Sequence, residues 1–420
     1  MTDATTTCSW PIRRLGEFFK IKHGFAFKGE FFSGEGDYIL VTPGNFEASG
    51  GFKSRGDREK FYIGSFPKGF LLKPGDLIVA MTDLTQNAPI LGSAAFVPPS
   101  EQFLHNQRIG KIIELDETKV DRSFLYYLFN HRNVRAQIKA TATGATVRHT
   151  APDRIYAVEM PLPPLPTQRK IAGILSAYDD LIENNTRRIA ILEEMAQRLY
   201  QEWFVHFRYP GHENVPLVDS ELGPIPEGWE VKPFSEVAEF MNGFAFKPSQ
   251  WGSMGRSIIK IAELKNGVTI STPRHDGSDI PRRFWIENGD LLFSWSADLD
   301  VYIWSHGSGL LNQHLFKVLP KDGLSKAFVY FLLKDRMNEF RNRSLGTTMR
   351  HIKRSALTEV TGIVPARQHI SDFDKVVLPV LDETRSLQDS VAIYRRIRDL
   401  LLPQLIRGLD SYGSARLPFL

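Results

Sequence analysis

The pentapeptide GFAFK occurs twice in this chain of 420 residues, at positions 24–28 and again at 243–247. Four further pairs of segments recur in the same order: KPGDLIVAMTD with ENGDLLFSWSAD, HNQRIGKII with LNQHLFKVL, FLYYLF with FVYFLL, and GATVRH with GTTMRH. The offset between copies only shrinks along the chain. One chance pentapeptide would not bring ordered companions, so the sequence predicts an internal duplication of one module.

The two copies differ most between their first landmarks, where residues 29–72 and 248–286 share little sequence. A scaffold that keeps its framework and varies an insert is typical of a protein in which each copy binds a different target. The alternative interpretation is drift in surface loops.

The first module is followed by a stretch with an apolar heptad pattern of about five repeats, which predicts a coiled-coil helix of about 60 Å. A rougher copy of the pattern follows the second module. The first seam comprises Ile171, Leu175, Tyr178, Ile182, Asn185, Ile189, Leu192, Ala196, Leu199 and Trp203. The second comprises Phe373, Val377, Val380, Thr384, Leu387, Val391, Tyr394, Arg398, Leu401 and Leu405. Pro379 is expected to kink or delay the second helix, and Pro403 to disturb its end. Each seam needs a partner, and the other helix is the obvious one.

Within the modules, the runs DLIVAM and DLLFSW predict strands, and residues 122–138 and 326–342 predict amphipathic helices. Residues 207–230 are rich in Pro and Gly and predict a linker. The expected fold class is therefore α+β, with two mixed α/β modules that are each followed by a long helix.

Composition sets broad limits on function. The net charge of +4 permits nucleic-acid binding without requiring it. A single cysteine, Cys8, cannot form an internal disulfide, so a reducing cytoplasm is expected; Cys8 is interpreted as a bystander, with a reactive thiol as the alternative. The sequence has no apolar run long enough for a membrane span and no apolar segment typical of a signal peptide.

Catalytic motifs are missing from the sequence. It has no phosphate-binding loop, no paired-histidine zinc motif and no Asn-Pro-Pro-aromatic methyltransferase stretch. The segment PDRIYAVE at 152–159 has no lysine at the spacing of a nuclease carboxylate cluster. These absences favour a binding protein over an enzyme, without metal or cofactor of its own.

Recurring polar residues are the candidates for ligand contacts. The Thr, Arg and His of G-x-T-x-R-H suit phosphates and base edges, although a structural loop with the Arg paired to a local carboxylate is an equal alternative. The Asn-Gln pairs could bind adenine or cap turns. In GFAFK, the Gly and Phe residues are expected to form a turn and core, and the Lys to reach phosphate. Other basic residues of the inserts, including Arg282 and Arg283, are candidates by charge, or belong to a solvated face.

The candidate DNA-binding residues of the first copy are Lys28, Arg55, Arg58, Lys60, Asn106, Gln107, Arg108, Thr146, Arg148 and His149. Those of the second copy are Lys247, Lys265, Arg274, Asn312, Gln313, His314, Thr348, Arg350 and His351.

Taken together, these motifs resemble the DNA specificity subunits of type I restriction-modification systems. The most specific carriers are the stretch LPPLPTQRKIAGILSAYDDLIENNTRRIAILEEMAQRLYQEWFVHFRYPGH and the segment GPIPEGWEV, and the resemblance covers essentially the whole chain. The second copy departs from the family pattern at TGIVPARQHISDFD and Pro379, so the two partner sites are not expected to be equally strong.

The resemblance implies target recognition domains at 1–160 and 226–363, with helical spacers at 161–225 and 364–420. It implies that each domain reads half of a bipartite, asymmetric site in double-stranded DNA. It further implies that the helices pair antiparallel with pseudo-twofold symmetry and dock two methyltransferase subunits, through which restriction (translocase) subunits join. S-adenosylmethionine would then belong to the methyltransferase, and ATP and Mg to the restriction subunit. Two alternatives remain open: a methylation-only system, and a coiled-coil tether without sequence-specific DNA reading.

Overall fold

The computed structural model of the protein describes residues 10–269, 271–344 and 351–407. The chain divides into two compact units. The first unit contains the described residues up to Ile182 together with those from Ile393 onward, and the second is Glu183–Ala392. Each unit therefore holds one module and one end of each long helix.

The first module is built on an antiparallel four-stranded sheet, in the order Lys20–His23, Ile109–Ile113, Leu77–Ala80, Ala94–Phe96. The strand Leu77–Ala80 is buried on both faces. Leu77 and Val79 pack into a core shared with helices, whereas Ile78 and Ala80 pack into a second core beneath the insert. This explains why DLIVAM is apolar throughout rather than alternating.

A second sheet carries the insert of the first module, in the order Phe32–Ser33, Phe61–Tyr62, Tyr38–Val41, Gln102–His105. Its last two strands run parallel. The remaining strands of the module are Ile12–Arg14, Thr82–Asp83, Arg148–His149 and Glu159–Pro161, and its helices are Arg122–Asn130, Arg132–Ala140 and Pro152–Tyr156.

The second module repeats the main sheet with the order Ala238–Asn242, Leu315–Pro320, Leu291–Ser294, Asp300–Ile303, again antiparallel. The insert sheet has the order Arg274–His275, Arg256–Ile259, Gly309–Leu311, Trp285–Ile286. Its central parallel pair matches that of the first module, but here one strand is added on each side, whereas the first module adds both on one side. The predicted duplication is confirmed, and the inserts differ in how they extend a shared core.

The ends of each module pair with each other. Strand Ile12–Arg14 is antiparallel to Glu159–Pro161, and Glu230–Pro233 to Thr361–Val364. The other elements of the second half are the linker hairpin Leu217–Val218 with Ile225–Pro226, and the helices Phe234–Val237, Ile261–Asn266, Lys326–Asp335, Met337–Asn342 and Ala356–Glu359.

The two amphipathic segments are each broken into a pair of helices, which corrects the expectation of one helix each. His131 adopts an extended backbone between the first pair, and its Nδ1 accepts the N–H of Asn133 at 3.2 Å, so it caps the next helix. The first helix of each pair begins at an equivalent cap. Asp121 accepts the N–H of Phe124 at 2.9 Å, and Ser325 that of Phe328 at 3.1 Å.

The two long helices are Leu165–Tyr200, here called the central helix, and Arg367–Arg407, the distal helix. A π-helical turn, Gln201–Val205, ends the central helix. Every predicted seam residue of both helices is buried or partly buried, and Asn185 is only 7% exposed. The heptad seams are confirmed.

Helix pairing is antiparallel within each unit. In the first, Tyr178 contacts Tyr394, and Ile171 and Leu175 share a core with Leu405. In the second, Arg188 forms an ion pair with Glu383 at 2.7 Å, and farther along the central helix Trp203 contacts Phe373. As residue numbers rise in the central helix, those of its contacts fall in the distal helix.

The distal helix begins at Arg367, so the expected delay by Pro379 was wrong, and the helix continues past Pro403 to Arg407. A kink at Pro379 stays a prediction. Proline removes one N–H from a helix and leaves one carbonyl unpaired. Pro379 lies on the exposed face, where water can satisfy that carbonyl, while Val377 is buried on the opposite side. Packing of the seam holds the helix through the proline.

Candidate nucleic-acid interface

The first GFAFK copy is hydrogen-bonded to the backbone around the Asn-Gln motif. The N–H of Phe25 donates to the carbonyl of His105 at 2.8 Å, and the N–H of Gln107 donates to the carbonyl of Phe25 at 2.9 Å. A β-carbon built on Gly24 would lie 2.0 Å from the carbonyl oxygen of Asn106, so only glycine fits. These two motifs, far apart in sequence, form one joint.

The second copy forms the same joint. The N–H of Phe244 donates to the carbonyl of Leu311 at 2.8 Å, and the N–H of Gln313 to that of Phe244 at 3.0 Å. A β-carbon on Gly243 would lie 2.2 Å from the carbonyl oxygen of Asn312. The phenylalanines pack beneath the insert sheets, where Phe25 contacts Phe27 and Phe244 contacts Phe246.

The asparagines of both joints serve their own turns. Asn106 Oδ1 accepts the N–H of Arg108 at 2.9 Å, and Asn312 Oδ1 accepts that of His314 at 3.3 Å. Asn312 is 3% exposed. The following residues, Gln107, Arg108 and His314, are the more accessible members, with Gln313 partly buried. Within these loops, the exposed side chains are the ones available to a ligand.

The G-x-T-x-R-H segment of the first module forms a tight hairpin. Thr143 and His149 exchange both backbone hydrogen bonds, at 2.9 and 2.8 Å, and Gly144 has a φ of +93°. Arg148 donates to the carbonyls of Lys139 and Ala142, near the end of a helix, rather than to a carboxylate. Thr146 and His149 are exposed.

Strand Arg148–His149 pairs with Thr82–Asp83, and Thr82 Oγ1 lies 3.0 Å from His149 Nδ1. The N–H of Met81 donates to the carbonyl of Arg108 at 3.0 Å, and the N–H of Thr150 to the carbonyl of Met81 at 2.9 Å. The GFAFK copy, the Asn-Gln loop and the hairpin therefore meet at one edge of the module, which we call the first motif edge (residues 24–25, 82, 106–108 and 148–149).

The second module has an equivalent edge, the second motif edge (residues 243–244, 295–296, 312–314 and 351). Trp295 Nε1 donates to the carbonyl of Gln313 at 3.2 Å, and the N–H of Ile352 donates to the carbonyl of Trp295 at 3.1 Å. His351 pairs with Ser296 as His149 pairs with Thr82. Thr348 and Arg350 lie outside the described residues.

An ion pair lies beneath the insert in both modules and explains two more repeated segments. Asp76, from the first GDL copy, accepts from Lys111 at 2.6 Å, and Asp290, from the second, accepts from Lys317 at 2.7 Å. Asp290 also accepts from Lys326 at 3.1 Å. Burial raises the pKa of Asp290, but hydrogen bonds from Lys317 and the N–H of Glu287 outweigh it, and the net pKa lies below its ordinary value.

The basic candidates of the inserts have varied surroundings. Lys265 forms an ion pair with Asp298, and Arg274 donates to the carbonyl of Gly255 at 3.0 Å. Arg55 is partly buried and donates to Thr42 Oγ1 at 3.4 Å. Four others have exposed side chains: Lys28, Arg58, Lys60 and Lys247. Direct DNA contact by any of the nineteen candidates stays a prediction.

Aromatic residues of the second insert form a surface that the sequence reasoning missed. Trp251 is 46% exposed with Lys260 over its ring, and Trp285 carries two arginines over its ring. Tryptophan next to arginine in an insert is a usable signal, because indole and guanidinium groups attract each other and both suit nucleic acids.

His105 lies directly beside the first motif edge and predicts a pH effect. It is 1% exposed, and its Nε2 donates to the carbonyl of Ile109 at 2.8 Å. Burial, helped by nearby Lys111 and Lys22, lowers the pKa of His105 to about 4. Between pH 6.5 and 4 the unfolded chain therefore binds one proton more than the folded chain. As the pH falls through this window, the free energy of unfolding should decrease by roughly 3 kcal/mol.

We expect His105→Gln, which keeps a donor for the carbonyl of Ile109 but does not titrate, to remove this acid-side loss. Denaturant unfolding of both proteins at pH 7.5 and 4.5 checks this. The free-energy difference between the two proteins should shrink or change sign at the lower pH. Parallel pH dependences would contradict a buried neutral His105.

None of the helices in the described ranges combines the length and apolar character that crossing a membrane requires.

Comparison with known proteins agrees with this architecture. The family model described as "Type I restriction modification DNA specificity domain" matches twice, at residues 9–194 and 226–374. The MjaIX specificity subunit of a type I restriction enzyme from Methanocaldococcus jannaschii is 27% identical over 399 residues, covering 89% of this chain and 87% of the relative. The HindI specificity subunit from Haemophilus influenzae is 23% identical, covering 68% of this chain and 76% of the relative.

Among solved structures, the S subunit of a type I restriction-modification system from M. genitalium superimposes with a TM-score of 0.59 at 16% identity, covering 96% of this chain and 98% of that one. This similarity supports the fold. The two family matches, one on each module, extend over most of the chain. The chain therefore belongs to the type I restriction-modification DNA specificity family and is a specificity subunit with two recognition domains.

Proposed function

We propose that this chain directs a type I modification and restriction complex to a bipartite, asymmetric DNA site. Each recognition domain reads one half-site, and the paired helices set the distance between the halves. The chain itself is not catalytic. We place the complex in the cytoplasm.

The two motif edges carry this proposal. In each module the recurring segments converge on one edge through long-range backbone hydrogen bonds, with exposed polar residues such as Gln107 and His149 there. Two equivalent edges suit two half-sites of the same kind of ligand, which here is the DNA duplex. The inserts next to them differ in strand arrangement and in charged residues, which suits two different half-sites.

Exposed apolar residues on the long helices support docking of protein partners. In the first unit these are Leu181, Ile393 and Leu400, and in the second Ile191, Met195, Val376 and Leu378, each between 42% and 57% exposed. Ile191 and Met195 are four residues apart, and Ile393 and Leu400 are seven apart, so each pair lies on one face of its helix, and exposed apolar residues grouped on one face suit a protein interface. We assign these surfaces to two methyltransferase subunits, which would bind S-adenosylmethionine. Restriction subunits with ATP and Mg would join through them.

Co-expression with the methyltransferase encoded by the neighbouring gene, followed by base-resolution mapping of methylation, tests the proposal. We expect one two-part motif methylated throughout the genome, with half-sites about one helical turn, ~10 bp, apart. A specific complex without methylation anywhere would leave only a scaffold role.

The two open alternatives give different results. A methylation-only system would produce the motif without ATP-dependent cleavage of unmodified DNA. A tether would show no sequence preference, and any residual non-specific binding to DNA would weaken steeply as salt is raised.

A further inference from the structure

Trp285, in the insert sheet of the second recognition domain, carries two guanidinium groups over its ring. The Cζ of Arg256 lies 4.0 Å from the ring centroid, and that of Arg282 lies 3.9 Å from it. Stacking of arginine on an indole is favourable and holds the planar guanidinium in a fixed orientation.

The platform under Arg282 is rigid. Trp285 Nε1 donates to the carbonyl of Ile280 at 3.1 Å, and the backbone of Trp285 pairs with Leu310 in the sheet. Lys317, from the ion pair that both modules contain, donates to the carbonyl of Trp285 at 3.0 Å. Arg256 is partly buried and is fixed by a 3.1 Å hydrogen bond to Ser308 Oγ.

Arg282 differs from Arg256 in being exposed, and within the described residues no hydrogen bond or ion pair engages its guanidinium. Its side chain is thus already ordered by the stack, while its donor edge stays available. A planar, two-pronged donor matches the O6 and N7 acceptors that guanine presents in the major groove. Little ordering entropy would remain to be lost on binding.

Two carboxylates decide between a base and a phosphate as the partner. Asp276 and Asp279 line the same open hollow of about 560 Å³ as Arg282 and Trp285. A phosphate approaching this hollow would be repelled by the carboxylates. The edge of a G·C pair carries no net charge, and the amino group of its cytosine can donate to a carboxylate.

The first module has no such stack at the equivalent place. The short helix Lys68–Phe70 corresponds to Arg282–Phe284 of the second module. Lys68 therefore takes the position of Arg282, and Leu71, which follows the helix, takes the position of Trp285. A lysine without an indole cannot make the two-pronged contact. The stack is therefore a property of one half of the molecule.

We propose that Arg282, oriented by Trp285, whose ring Arg256 also covers, reads a guanine in the half-site of the second recognition domain. This inference rests on the proposed function, and it adds the base and the residue that reads it. Arg282 is the reading residue, and Trp285 is its positioning residue.

The test uses the full chain in complex with its methyltransferase subunits. Sites are selected from a randomised duplex library for the wild type, Arg282→Lys, Arg282→Gln and the matched control Arg283→Lys, its exposed neighbour. Arg282→Lys keeps the positive charge but loses the planar, two-pronged donor of the guanidinium group. We expect it to relax one G·C position in one half of the motif, to weaken binding to the wild-type site by about 5- to 150-fold, and to leave the other half unchanged. Arg283→Lys should keep the full motif.

Several results would overturn the assignment. A phosphate contact would leave the motif intact in every variant, and Arg282→Gln would lower the slope of log affinity against log salt by about 0.9. A wild-type half-site without any G·C pair, or relaxation by Arg283→Lys instead, would also be decisive against it. If the wild type selects no motif at all, the proposed function fails first, before any variant is compared.

Discussion

Replacing Gly24 with alanine is expected to open the joint between the first GFAFK copy and the Asn-Gln loop. The new β-carbon would lie 2.0 Å from the carbonyl oxygen of Asn106 and 2.2 Å from its carbonyl carbon. Both are backbone atoms of a paired strand end, so relief requires a shift of the sheet edge. We expect a loss of about 3 kcal/mol in the stability of the first module. Denaturant unfolding measures this loss, and hydrogen exchange of peptides covering residues 18–31 and 100–113 locates it.

Gly29→Ala is the matched control, because a β-carbon there would meet nothing within 4 Å and the backbone φ is not positive. Its stability should stay within about 0.5 kcal/mol of the wild type. If both variants behave alike, the close approach at Gly24 is not what fixes the repeated pentapeptide. In the methyltransferase complex, Gly24→Ala should also impair recognition of one half-site only.

The second large effect is expected from Asp290→Asn in the other module. Asp290 is bonded to two lysines, and the side chains of Asp290 and Lys317 are only 12% and 17% exposed. The variant leaves the Lys317 ammonium largely buried without its counter-charge, which costs about 3 kcal/mol. Because the pKa of Asp290 lies below its ordinary value, its contribution is present at neutral pH and is lost as the pH falls below 3.8 toward the folded-state pKa.

Unfolding followed by tryptophan fluorescence measures this variant, since Trp285, Trp295 and Trp304 lie in the same module. The double variant Asp290→Asn/Lys317→Met removes both charges and should recover part of the loss. Additive losses in the double variant would show that the pair does not act as a unit. Asp76→Asn should cost less, because Asp76 has one lysine partner rather than two.

Local patterns in the sequence predicted the repeat, the heptad seams and the strands of DLIVAM and DLLFSW. They did not predict the break at His131, where the cap of a second helix competes with continuation of the first. They also exaggerated Pro379, because the effect of a proline depends on whether its orphan carbonyl faces water or the core. Sequence reasoning treated Arg148 as an equal choice between DNA contact and pairing with a carboxylate. In the structure the guanidinium of Arg148 donates to backbone carbonyls, a contact that no residue pattern predicts.

What the sequence determined by itself is what repeats or has a period: two modules, two long helices, and the family to which they belong. Period and repetition are local properties, so they survive without knowledge of the fold. Only the tertiary structure decided that GFAFK, the Asn-Gln loop and the hairpin share an edge, and that Arg282 stacks on Trp285. These contacts join residues brought together by sheet pairing, and pairing depends on which strands are neighbours in space rather than in the chain.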